Sequence, residues 1–168
     1  MKLFSLLILL STLILPKAWI SYDLNWELEG DGYSASADRG ALAIGYEDIV
    51  SKNLSVGGSY DVLGATMDGS DMEFQLFNLY AKYIFSSDET ISIWGSLGYS
   101  IPTGDFDEID AGLSYGIGAS LSNGVGFYYI MSNLKYEDEY YYDYDGYYYD
   151  YSDSEDFNVN RMGLYISF

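Results

Sequence analysis

The chain has 168 residues, enough for one domain, with 26 acidic residues against 7 basic ones and a formal net charge of −19. Such a surplus repels phosphate backbones and argues against nucleic acid as a partner; cations or basic surfaces are the natural counterparts. The chain contains neither His nor Cys, which removes the usual proton shuttle near neutral pH, the common schemes of nucleophile activation and any disulfide framework.

Lys2 precedes an apolar run of 13 residues, Leu3 to Leu15, and small Ala18 follows Pro16 and Lys17. The run is shorter than the roughly 20 apolar residues a helix needs to span a bilayer, and its layout is that of a secretory signal peptide with cleavage expected after Ala18. The alternative is a buried amino-terminal helix. Residues 19–168 then form the mature domain, with Arg39, Lys52, Lys82, Lys135 and Arg161 as its only bases. An exported chain without Cys must be held by packing or by a continuous backbone hydrogen-bond network.

From Ile20 on, the side-chain period is two, the period of a strand. Ile20, Tyr22, Leu24, Trp26 and Leu28 alternate with Ser21, Asp23, Asn25, Glu27 and Glu29, and Gly30-Asp31-Gly32 marks a turn. Leu42, Ile44 and Tyr46 face away from Arg39, Ala41, Ala43 and Gly45; Leu54, Val56, Gly58, Tyr60 and Val62 form the next apolar row. The fourth strand, about Met72 to Phe85, changes phase: Met72, Phe74 and Leu76 start in one, and Phe77, Leu79, Ala81, Tyr83 and Phe85 continue in the other. A bulge near Leu76 is the expected reconciliation, since one extra residue flips the alternation. The second phase turns Lys82 away from the apolar face.

Ile91, Ile93, Gly95, Leu97 and Tyr99 make the fifth row, and Ala111, Leu113, Tyr115, Ile117 and Ala119 the sixth. Ser122-Asn123-Gly124 is a hairpin signal before Val125, Phe127, Tyr129 and Met131. The segment 136–156 holds nine Tyr and nine acidic residues and no aliphatic one, which predicts a low-complexity external loop. In the last strand Met162, Leu164, Ile166 and the terminal Phe168 alternate with Arg161, Gly163, Tyr165 and Ser167.

Eight strands of about nine to twelve residues suit a tilted crossing of a bilayer, and short connections alternate with longer ones near 30–36, 63–71, 101–109 and 136–156. None of the apolar rows, with the second phase taken for strand four, contains a charge, and Gly, Ser and Ala fill the opposite rows. Bulk on one face and small residues on the other is the arrangement of a small membrane barrel, the reverse of a soluble one. Tyr22, Tyr46, Phe85 and Phe168 fall near the short-turn ends, and Trp26, Tyr60 and Tyr99 near the long-loop ends, as interfacial girdles do.

Signal peptide, eight alternating strands, one-sided long loops, the phrase Leu79-Tyr80-Ala81-Lys82-Tyr83-Ile84-Phe85 and the terminal Phe168 together resemble the OmpA/OmpX-type small outer-membrane barrels. The resemblance implies an all-β, eight-stranded antiparallel up-and-down transmembrane barrel in the bacterial outer membrane. It implies lipid and lipopolysaccharide as surroundings, and insertion by the barrel assembly machinery through a signal made of Met162, Leu164, Ile166 and Phe168. That family includes adhesins, structural proteins and narrow pores, so three roles stay open: a structural or porin-like protein, a recognition protein acting through 136–156, and a soluble periplasmic ligand-binding barrel.

No spacing of Ser and carboxylates indicates a catalytic pair, and no cofactor is expected. Eight strands leave an interior just wide enough for side chains. A first hairpin centred near Tyr33 sets Glu27 opposite Arg39, and closure of the last strand on the first brings Arg161 near Glu27. The expectation is therefore an ion cluster of Glu27, Arg39 and Arg161 in the lumen, blocking or gating it. The alternative places these groups in solvated loops or at the rim. The carboxylates of 136–156 could hold divalent cations diffusely, since their spacing is not that of an EF-hand loop.

Overall fold

The computed structural model describes residues 17–30, 32–67, 71–144 and 147–168, with backbone alone for 33 and 138–153. Most of the expected signal peptide, residues 1–16, lies outside the described residues; Lys17 and Ala18 already begin the first strand. Ten antiparallel strands follow in chain order: β1 (Lys17–Gly30), β2 (Tyr33–Arg39), β3 (Leu42–Ser51), β4 (Leu54–Leu63), β5 (Ala65–Met67), β6 (Glu73–Ser87), β7 (Ile91–Gly104), β8 (Gly112–Leu121), β9 (Val125–Tyr144) and β10 (Tyr147–Ser167). Each pairs with its neighbours around the wall, and β10 pairs back onto β1 from Trp19↔Ser167 to Glu29↔Asn158. The last residue completes the seam, with Phe168 N–H donating to the Ala18 carbonyl at 3.0 Å.

The ten strands make eight staves. β2 and β3 are one stave broken at Gly40-Ala41, and β4 and β5 are one broken at Gly64: β1 pairs with β3 low in the wall and with β2 high, while β6 pairs with β4 low and with β5 high. The break at Gly40 is where β1 presses in. A Cβ there would lie 2.1 Å from the Asp23 carbonyl oxygen, and Asp23 N–H crosses the gap to the Ala41 carbonyl.

Two strands take on an extra residue at the same height. In β1 the register against β10 slips between Asp23 and Asn25, leaving Leu24 unpaired and pointing out. In β4 it slips against β3 between Asp61 and Leu63. Each bulge reverses the alternation beyond it. Trp26, expected outside as a girdle residue, is therefore buried in the interior at 1% exposure, with partly buried Leu28 packed beside it.

In β6 the expected bulge near Leu76 is absent. Its register against β7 runs unbroken from Phe74↔Gly104 to Ile84↔Trp94, and the slip comes only after Ile84. The two phases of its sequence are two faces: Phe74 and Leu76 point inward, Phe77, Leu79, Tyr83 and Phe85 outward, and Lys82 inward as expected. The interior thus changes character along the axis. Near the short turns it is polar; above, Trp26, Phe74, Leu76, Leu134, Phe157 and Val159 pack as an ordinary apolar core. On the outside the order is opposite. Leu97, Ile117, Ile166 and their neighbours are exposed low on the wall, while Glu27, Glu29, Asn133 and Asn158 lie higher on it.

Two of the expected long loops are extended hairpins. Gly30 pairs with Tyr33 and Glu27 with Ser36, so the first hairpin is centred before Tyr33. β9 and β10 pair from Val125↔Ile166 as far as Tyr144↔Tyr147. The segment 136–156 is therefore mostly paired strand. With β8 paired only up to Ser114↔Ser132 and β1 only up to Glu29↔Asn158, residues 136–144 of β9 extend past both neighbours, about 30 Å at strand rise.

The Gly40→Ala variant is expected to force β1 and the β2–β3 stave apart at the bulge, at a cost of about 1–3 kcal/mol. Urea titration of the heat-modifiable folded band checks this, and an unchanged midpoint refutes the close-approach role.

Candidate functional site

The polar interior holds its charges at two levels. At the level of the bulges, Arg161 of β10 donates through Nε to Asp23 Oδ2 at 2.9 Å and through Nη2 to Asp61 Oδ1 at 2.8 Å, and all three side chains are enclosed. Tyr128 of β9 donates its hydroxyl to Asp23 Oδ1 at 2.5 Å, and Leu76 N–H of β6 donates to Asp61 Oδ2 at 2.9 Å. Gly163, opposite Asp23, leaves the room that the Tyr128 ring fills: a Cβ there would lie 2.5 Å from the Tyr128 oxygen. Five staves are tied across the lumen. A buried guanidinium between two carboxylates, with further donors on each carboxylate, is the compensated arrangement that burial of charge requires.

Below, near the short turns, Lys82 pairs with Glu47, which also accepts from the Ser55 hydroxyl at 2.8 Å. The Lys82 ammonium lies 5.3 Å from the centre of the Trp94 ring, within cation–π range. Trp19 Nε1 donates to the Tyr80 hydroxyl at 3.0 Å and Trp94 Nε1 to the Tyr165 hydroxyl at 3.1 Å. Between the levels runs a chain of neutral bonds: Ser59 to Asn78, Asn78 to Ser100 at 2.6 Å, and Ser100 to Ser132 at 2.8 Å.

The expected trio does not come together. Arg161 is in the lumen. Glu27, beyond the Leu24 bulge, sits opposite Asn160 and accepts from the Asn25 amide at 3.0 Å. Arg39 is at the rim, 2.5 Å from Glu73 and bonded to the Gly64 carbonyl. Asp23 and Asp61 take the places assigned to Glu27 and Arg39 around Arg161. One sequence signal could have found Asp61, a carboxylate on a row otherwise made of Ser55, Gly57 and Ser59; Asp23 shares its row with Asn25, Glu27 and Glu29 and does not stand out. The expected assembly row holds its orientation, with Leu164, Ile166 and Phe168 all exposed on the outer face.

Above Arg161 the bore is closed. Trp26 stacks against Phe74 with ring centres 5.2 Å apart, and Phe74 against Phe106 of the β7–β8 connection at 4.8 Å. Below it, a cavity of about 460 Å³ opens at the short-turn end. Among the described residues no group of three or more metal-ligating side chains converges. Among those residues no helix is long and apolar enough to cross a membrane, which says nothing of strands.

The chain is a closed, eight-stave barrel with its apolar face outward. No family model and no curated protein matches it. Solved structures do. The outer membrane protein AlkL, determined by solid-state NMR in DMPC bilayers, is 13% identical over 91% of this chain and 89% of its own, with a TM-score of 0.47. Neisserial surface protein A, NspA, is 12% identical over 92% of this chain and 97% of its own, also at 0.47. Ail, the attachment invasion locus protein of Yersinia pestis, is 15% identical over 92% and 97%, at 0.44.

Removing Arg161 alone leaves Asp23 and Asp61 buried without their cation. Arg161→Met is expected to lower stability by about 3–5 kcal/mol, and the triple variant Asp23→Asn, Asp61→Asn, Arg161→Met to recover most of it. Urea midpoints of the folded band measure both. Outside the wall, Asp88 accepts the N–H groups of Ile91 and Thr90, which hold its carboxyl below the usual range. Its folded value being depressed, the turn's stabilisation is complete above the ordinary Asp value of about 3.9 and is lost as pH falls through the lower folded value. A carboxyl NMR titration of Asp88 with its midpoint below that ordinary value is the expected result.

Proposed function

We propose that the protein is an integral outer-membrane barrel that serves as a non-conducting, non-catalytic anchor and presents the β9–β10 hairpin to another surface. The observation that carries this reading is the closed bore. A hydrated ion must pass the filled Arg161 level and then a dry aromatic core, where an unpaired charge is strongly disfavoured. An apolar belt argues for lipid rather than water outside. Every stave contributes an exposed large apolar side chain, among them Tyr22, Ile44, Val56, Leu79, Leu113 and Leu164, and together they surround the molecule. Soluble monomers rarely expose contiguous apolar patches beyond a few hundred Å², which argues against the free periplasmic barrel.

The bulge level marks the upper edge of that belt, so the apolar-filled upper barrel and the hairpin stand clear of the hydrocarbon. Surface recognition is favoured over a purely structural role by what extends there: a paired ribbon rich in Tyr and carboxylates rather than a blunt rim. Tyr supplies large contact area at little rotamer cost. The partner chemistry is basic, or anionic lipopolysaccharide bridged by divalent cations. The barrel assembly machinery is the partner proposed for the row Met162, Leu164, Ile166 and Phe168.

Purified protein in planar bilayers is expected to give no ion-conducting steps. Deleting 138–155 is expected to leave a heat-modifiable barrel while reducing attachment of expressing cells to cationic surfaces. Discrete openings by the intact protein overturn the anchor reading, and undiminished attachment by the deletion overturns the role of the hairpin.

A further inference from the structure

The cavity below Arg161 is a blind chamber, closed above by that residue's level and framed at its mouth by Asp88, Thr90, Asn123 and Phe168. Its volume of about 460 Å³ falls in the range of small-molecule sites, roughly 300–1,000 Å³. Three properties of the wall narrow what can occupy it. The enclosed charges are already matched, Lys82 by Glu47 and Arg161 by Asp23 and Asp61. An entering ion would lose hydration and find no free counter-charge inside.

The aromatic residues have their polar atoms engaged with one another, Trp19 with Tyr80 and Trp94 with Tyr165, so that ring surface is what they offer the space. Beside those rings, Ser96 and Ser114 line the cavity, and their hydroxyls have no hydrogen-bond partner among the described residues. Aromatic surface next to free hydroxyls, in a chamber without spare charge, matches an uncharged molecule with polarised C–H groups on its face and hydroxyls around its edge. The C–H face is attracted to the negative face of an indole or phenol ring, and the edge hydroxyls exchange hydrogen bonds with serine.

We infer that this chamber binds a neutral mono- or disaccharide entering from the short-turn end. The site is separate from the hairpin, so the outcome for surface attachment leaves it unaffected. The test uses the protein in lipid nanodiscs, which avoids sugar-headed detergents, titrated with glucose, N-acetylglucosamine and maltose and followed by the three tryptophan indole N–H signals. For at least one sugar, saturable shifts of Trp19 and Trp94 are expected with a Kd on the order of 1 mM. The Trp26 signal, sealed above the Arg161 level, stays in place and serves as the internal reference.

Ser96→Val and Ser114→Val, each verified as a heat-modifiable barrel, are expected to weaken binding up to about tenfold by removing one hydroxyl contact each. Four results each overturn the inference: no saturable shift with any of the three sugars, Trp26 moving in step with Trp19 and Trp94, affinity unaltered in both serine variants, or spermidine or benzoate binding more tightly than every sugar.

Discussion

The constraint on which everything else depends is that a wall with apolar side chains outside and packed side chains inside can leave few backbone N–H or C=O groups unpaired. An open sheet fails this at its edges; a closed one has no edges. Closure here joins the first strand, β1, to the last, β10, from Trp19↔Ser167 to Glu29↔Asn158. With the backbone satisfied in this way, the side chains are free to be apolar outside, and a chain without Cys is held together by its own ladder.

Closure alone does not fix what fills the bore. Eight staves leave a narrow interior, and this chain divides it at the level of Leu24, Val62 and Gly40-Ala41. Below that level the wall is apolar and the interior holds the paired ions and the rings of Trp19, Trp94 and Tyr165. Above it the wall carries Glu27, Glu29 and Asn158, and the interior holds Trp26, Phe74, Leu76 and Val159. Arg161 and its two aspartates sit at the boundary. Bulges and ion cluster share one height because reversing the alternation in β1 and β4 frees strand groups such as Leu76 N–H, and a carboxylate is at hand to accept it.

Much of this was legible in the residues. Strict alternation places the outer rows of β3, β7, β8, β9 and β10 as observed, because a wall that is apolar outside carries bulk at every second position. The failures have physical causes. A bulge at a non-glycine residue leaves no local signature, so Glu27 was taken for a lumen group and Trp26 for a girdle residue, when the flip at Leu24 exchanges their faces. Phe74 and Leu76 lead to an expected bulge near Leu76 because an apolar inner core has the same period and composition as an apolar outer row. The hairpin was hidden by composition: Tyr and carboxylates give no hydrophobic alternation, although Asp145-Gly146 between its arms is a dipeptide that tight hairpins favour.

The ribbon that rises from the rim is not an appendage on a loop. β9 and β10 run without interruption from its far end to the short turns, and β10 carries Arg161 on the way. A tug on the tip along the barrel axis acts parallel to the staves. The rungs to β1 and β8 are then stressed in shear and share the force, instead of opening one after another like a zipper, and the guanidinium clasp is strained with them. An organism held by this ribbon would be tethered through the stiffest direction of the molecule.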